Sequence, residues 1–176
     1  DESISFFWND GKIEEKTYGY EALIKSKNKR LEVKHKVPFP LQPSEVQGVE
    51  QYLQSTETIN SNDSAIIAKA AELAEGEDDL FKVVFNLASW VEENIEYDLN
   101  TVTAAASQKA SWVLANRQGV CDEMTSLFVA MARSLGIPAR FVSGISYTNS
   151  EEVAAVVGSN WAGHGWAEIY FPVIGW

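Results

Sequence analysis

The stretch GVCDEMTSLFVAMARSLGIPARFVSGI, residues 119–145, constrains the fold more tightly than any other part of the chain. Met124, Leu127, Phe128, Met131 and Leu135 recur at helical spacing, which predicts an amphipathic helix opened by Cys121. Gly136 and Pro138 stop that helix, and ARFVSGI then reads as a strand. A helix with a single apolar stripe and a strand that follows at once must share one core. The closing GHGWAEIYFPVIGW, residues 163–176, alternates in the manner of another strand.

The rest of the chain adds helices before this unit. NDSAIIAKAAELAEG predicts a helix capped by Asp63 or Ser64 and stopped by Gly76. Leu80, Val83, Val84, Leu87 and Val91 predict a stronger one, with Asp78 and Asp79 at its positive start. Residues 103–116 read as a third, Ala-rich helix, and 146–162 as a loop or short insert. Residues 1–40 read differently: SISFFW, the NDG turn and RLEVKHKV predict a small antiparallel β segment closed by PFPLQP. It could be the end of a preceding β-domain. His35 falls in it among lysines and reads as a structural or surface histidine. The fold class is α+β, with residues 1–40 as the β segment and 41–176 as the main domain.

Composition excludes several functions. Residues 1–40 carry eight Lys/Arg and seven Asp/Glu, whereas the remainder carries six and eighteen. So acidic a body repels phosphate backbones, and no nucleic acid partner is expected. No apolar run approaches the length of a membrane span, and no signal peptide is visible, which leaves the compartment open. The first residue is Asp1, which leads us to expect a processed product or an excised piece. With one cysteine there is no internal disulfide and no Cys-rich zinc site. The acidic EGEDD lacks the alternating spacing of a calcium loop. Neither metal nor cofactor is expected.

Few residues remain that could carry nucleophilic chemistry. Cys121 lies at a helix start, where partial positive charge and free N–H groups favour a thiolate. The same N–H groups, its own included, can stabilise the oxyanion of a tetrahedral intermediate. Gly119 would let a substrate backbone approach. A thiol nucleophile needs a base, and His164, 43 residues downstream, is the candidate. Trp166 shares its strand face and could shield the pair from water, while Ala167, Ile169 and Phe171 could bury against the Cys121 helix. Against this stand two plainer readings: a lone cysteine as a small buried hydrophobe, and a lone strand histidine as a satisfied polar residue.

From about Leu41 onward the sequence resembles the transglutaminase-like superfamily, a distant relative of papain-like cysteine proteases. Residues 119–145 are similar to its nucleophile segment: Gly-x-Cys, an apolar helix, Gly-Ile-Pro-Ala-Arg, then a strand ending in Gly. HGWAEIYFPVIGW resembles its histidine strand, His-x-Trp-x-Glu followed by Gly-Trp. YLQSTETI and WVEENIEYD are similar to its lead-in helices. The resemblance implies a Cys–His–Asp site with Cys121 as nucleophile and His164 as its partner. It places the aspartate shortly after the Gly-Trp, and no residue of this sequence matches it. Glu168 is no substitute, since four strand residues separate it from His164 by roughly 13 Å, and Asp122 reads as helix-start charge. Loss of an orienting carboxylate costs a serine triad about 10⁴ in rate, and less if the ion pair is already formed at rest. The chain is therefore expected to be incomplete before the aspartate, with crippled activity and an exposed C-terminal strand edge able to pair with another chain.

The function expected is thiol acyl transfer on peptide or amide bonds of a protein or peptide substrate. Water as acceptor makes a protease or amidase, and an amine makes a transglutaminase; family analogy leans to hydrolysis. A non-catalytic binding or scaffolding module that retains the fold is the alternative.

Overall fold

The computed structural model describes residues 35–101, 107–151, 154–155 and 158–176. Most of the expected N-terminal β segment, including Leu31 and Val33, lies outside the described residues. His35 sits exposed in a bend rather than in a strand. The next residues pass the start of the second helix: the Leu80 N–H donates to Val37 O at 2.7 Å and the Phe39 N–H to Asp78 O at 3.1 Å.

The helices form where caps and apolar spacing agree. Helix α1 (Ser64–Ala74) is capped by Asp63, whose side chain accepts from the Ala65 N–H at 2.9 Å. Helix α2 (Leu80–Asn94) is capped in the same way by Asp79, and buries Leu80, Val83, Leu87 and Val91 on one stripe. Asp78, just outside, pairs with Lys36. A two-residue strand, β1 (Glu96–Tyr97), follows.

Helix α3 (Ala110–Asn116) is shorter than the 103–116 expected from its alanines. Residues 102–106 lie outside the described residues, and 107–109 are not helical. The helix begins where a distant side chain caps it. Asn60 Oδ1 accepts the Ser111 N–H at 3.1 Å, and Asn60 Nδ2 donates to Ser111 Oγ at 2.8 Å. That tertiary cap outweighs local propensity.

Strand β2 (Gln118–Gly119) pairs in parallel with β1, and helix α4 (Cys121–Ser134) starts two residues later. Gly136, at φ +74°, ends α4 in a Schellman turn: the Ile137 N–H donates to Ala132 O and the Gly136 N–H to Arg133 O, both at 3.0 Å. The chain then enters β3 (Ala139–Tyr147), which pairs antiparallel with β4 (Trp161–Ile169).

Helix α4 is the centre of the architecture. It packs against α1, α2 and α3, and also against β3 and β4. Leu127, Val129, Ala130, Met131 and Ala132 are fully buried there, together with Ile66, Leu80 and Leu87 from the outer helices. Burying a large aliphatic side chain is worth about 1.5–3 kcal/mol, so this cluster dominates the stability. Arg133 anchors the far end of α4, donating to Ala139 O at 3.0 Å and to Gln54 O at 2.6 Å.

The closing segment is not one long strand. β4 ends at Ile169, and Pro172 to Ile174 form a turn that reverses the chain, with Phe171 and Gly175 exchanging backbone hydrogen bonds of 2.8 and 2.9 Å. Gly175 takes φ +95°, a conformation open to glycine at little cost. Trp176 then packs edge-on against Tyr52 and Tyr170, under the Arg140 guanidinium. Among the described residues, β4 pairs with β3 alone.

Candidate active site

A buried carboxylate fixes the start of α4. Glu123, 3% exposed, turns back so that its Oε2 accepts the Val120 N–H at 3.0 Å. Its Oε1 accepts the Gln108 N–H at 3.2 Å and the Ser107 hydroxyl at 3.3 Å. One side chain thus pins Cys121's helix to the segment before α3. A Cβ on Gly119 would lie 2.6 Å from Glu123 Cβ. The glycine therefore makes room for this clamp, rather than for an approaching substrate as the sequence alone led us to expect.

His164 and Trp166 point to one face of β4, and Gly165 to the other. His164 pairs in register with Gly144 and is exposed. Trp166 lies across Gly144, where a Cβ would meet its ring at 2.7 Å, and its ring centroid is 6.3 Å from that of His164. At 40% exposed, Trp166 flanks the imidazole on the solvent side. Gly165 is buried at the crossing with α4. There Thr125 Oγ1 donates to Gly165 O at 3.3 Å, and a Cβ would collide with Phe141 Cζ at 2.5 Å and Asp122 Oδ1 at 2.6 Å. This close crossing brings His164 alongside Cys121.

Cys121, His164 and Trp166 open onto one groove of about 390 Å³ between α2, α4 and β4. Burial pushes the half-buried thiol above its ordinary range; the Asp122 carboxylate, with Oδ1 3.5 Å from Sγ, adds to the rise, and the Gly165 N–H facing the sulfur opposes it. In this arrangement Sγ donates to Asp122 Oδ1. Burial and the neighbouring carboxylate thus oppose the thiolate that the helix start favours. Among the described residues, no hydrogen bond joins Sγ to the imidazole.

Tyr97 and Asp122 escaped the sequence reading as site residues. Tyr97 lines the groove from β1, whose pairing with Gly119 sets it beside Cys121. Burial raises its hydroxyl's pKa, Cys121 once ionised would add to that, and the Cys121 N–H pulls the other way. Tyr97 thus stays a phenol, able to donate. Glu168 is committed elsewhere: Arg140, opposite it in register, donates Nε at 2.7 Å and Nη2 at 2.5 Å. The Arg of Gly-Ile-Pro-Ala-Arg and the Glu of His-x-Trp-x-Glu are thus the two halves of one cross-strand pair. Among the described residues, no cluster of three His, Cys, Asp or Glu is placed to hold a metal ion.

Two curated relatives and two solved structures are similar to this chain. An uncharacterized protein, YebA, of Bacillus subtilis (strain 168) is 30% identical over 61% of this chain and 16% of its own length. An uncharacterized protein of Haemophilus influenzae is 26% identical over 88% of this chain and 46% of its own. The chain therefore spans less than half the length of either relative. A candidate cysteine protease from Cytophaga hutchinsonii superposes with a TM-score of 0.57 at 20% identity, over 75% of this chain and 40% of that one. The periplasmic domain of TgpA from Pseudomonas aeruginosa does so with 0.54 at 21%, over 78% and 46%. At such identities these two show the fold. The sequence model of the transglutaminase core matches residues 67–176, which hold the whole groove and its flanking helices, so the chain belongs to the transglutaminase-like superfamily.

Proposed function

We propose that this chain carries a thiol acyl-transfer site for peptide or amide bonds, with Cys121 as nucleophile and His164 as general base and acid. The observation that carries this reading is that the two side chains, from different elements, open onto one groove at the crossing of α4 and β4. Because burial and Asp122 oppose the thiolate, His164 acts as a base during attack rather than as half of a standing ion pair. Sγ forms a bond to the substrate carbonyl carbon while its proton passes to the imidazole. The oxyanion is received by the Cys121 N–H and the Tyr97 hydroxyl. The imidazolium returns the proton to the leaving nitrogen as the C–N bond breaks, leaving a thioester on Cys121. Water or an amine then attacks the thioester and releases the thiol. Hydrolysis is the acceptor chemistry we favour, since the groove is open to solvent and the thioester therefore meets water first.

The second reading, a binding module that retains the fold, draws on the same thiol, since burial and Asp122 both disfavour the thiolate. Intact-mass analysis after exposure to a p-nitrophenyl ester separates the two. The catalytic reading expects an acyl adduct on Cys121 that decays in water and forms far more slowly in His164→Ala. No adduct, or one indifferent to His164, favours the binding module.

A further inference from the structure

Beyond the reacting atoms, the groove has a floor with its own chemistry. Ala88 and Val91 supply it from α2, one turn apart, Met124 and Phe128 from α4, also one turn apart, and Ala167 from β4. These five are apolar, and Cys121 stands at their edge. Among the described lining residues, the one carboxylate is that of Glu92, which is exposed. A volume of about 390 Å³ falls at the lower end of ligand-sized pockets. An acidic group entering would meet Glu92 and leave water without a partner on the floor, whereas an aliphatic or aromatic group would exchange water for apolar contact. Met124, flexible and polarisable, adapts to either shape.

We propose that this floor is the acyl-side subsite, selecting donors that carry a large apolar side chain next to the carbonyl attacked by Cys121 and rejecting acidic ones. This rests on the reading of Cys121 as the nucleophile. The occupant follows from continuity: the floor runs directly into the thiol, so a group seated on it holds the adjoining carbonyl near Sγ.

Three thiol alkylators test the subsite without requiring turnover: iodoacetamide, the chloromethyl ketone of N-acetylphenylalanine, which sets a benzyl side chain on the acyl side of the carbonyl, and the acidic chloromethyl ketone of N-acetylaspartate. Alkylation of Cys121 is followed by intact mass, and each rate is divided by that for the urea-unfolded chain. In the folded protein the benzyl reagent should react about tenfold or more faster than iodoacetamide on this scale, and the acidic reagent slower, as expected for one sizeable apolar group in a fitted pocket. Ala88 is exposed, so Ala88→Trp fills the groove without disturbing the core. That variant should lose the benzyl preference, read as the ratio of the benzyl rate to the iodoacetamide rate within the same variant. No preference in the folded protein, or one that survives Ala88→Trp, overturns the subsite. Intact selectivity in a protein that forms no acyl adduct from esters or peptide amides overturns the catalytic reading, and with it the acyl-donor role, and leaves the floor as an apolar binding site beside the thiol.

Discussion

Asp122 follows Cys121 directly, and its carboxylate opposes ionisation of the thiol. Burial acts in the same direction, and the two raise the pKa of Cys121. A folded pKa above the unfolded one means that stability carried by the neutral form is complete below the ordinary thiol range and is lost as pH rises through the raised value. The pH profile of iodoacetamide labelling should accordingly have its midpoint above the ordinary thiol value of about 8.5. Asp122→Asn removes the charge and should move that midpoint down, and an unchanged midpoint would show that the carboxylate has no part in it. Tyr97 gives a second residue-scale prediction. If its hydroxyl receives the oxyanion, Tyr97→Phe should lower kcat for ester or amide substrates by about 10²–10³ with KM little changed, while iodoacetamide labelling, which forms no oxyanion, keeps its rate. Cys121 and His164 were legible in the sequence because each stands within a local pattern of its own. Tyr97 was not, because β1 pairing brings it to Cys121 from 24 residues away, and Asp122, though adjacent, reads in sequence only as helix-start charge, since the direction of its side chain is set by the fold.

Two contacts hold the elements of the site in place, and both can be tested by stability. Glu123 binds Val120, Gln108 and Ser107 from a buried position. Glu123→Ala strands buried donors, each costing about 1–3 kcal/mol, so the urea midpoint should fall markedly; a midpoint shift too small to measure would remove the clamp from the account. Gly165→Ala drives a methyl into Phe141 and Asp122 where α4 crosses β4. Overpacking of this kind costs typically 1–3 kcal/mol, and here it should also part Cys121 from His164 and depress acylation more than stability. Local pattern predicted α1, α2 and α4 with their caps, because Asp63, Asp79 and the apolar stripes are neighbours in sequence. It overextended α3, whose start is set by Asn60 far upstream, and it ran the closing strand through Pro172 to Trp176, where the backbone instead turns at Phe171 and Gly175. Glu168, set aside as too far from His164, has its reason in Arg140 on the neighbouring strand.

Over the whole molecule, α4 divides the labour. Its buried face holds the helical layer together through Leu127 and Met131, and its first turn presents Cys121 to the hairpin that carries His164. An α+β fold of the transglutaminase-like superfamily follows from that arrangement, and residues 119–145 alone came close to dictating it. The proposed chemistry requires Cys121 and His164 to act together, and one measurement addresses that directly. The protein is mixed with a p-nitrophenyl ester at neutral pH, and the mass of the Cys121-containing peptide is followed in the wild type, Cys121→Ala and His164→Ala. The account predicts a transient acyl adduct on Cys121, none in Cys121→Ala, and adduct formation slowed by about 10²–10⁴ in His164→Ala, the usual worth of a positioned general base. An adduct that forms at the same rate without His164 would contradict it.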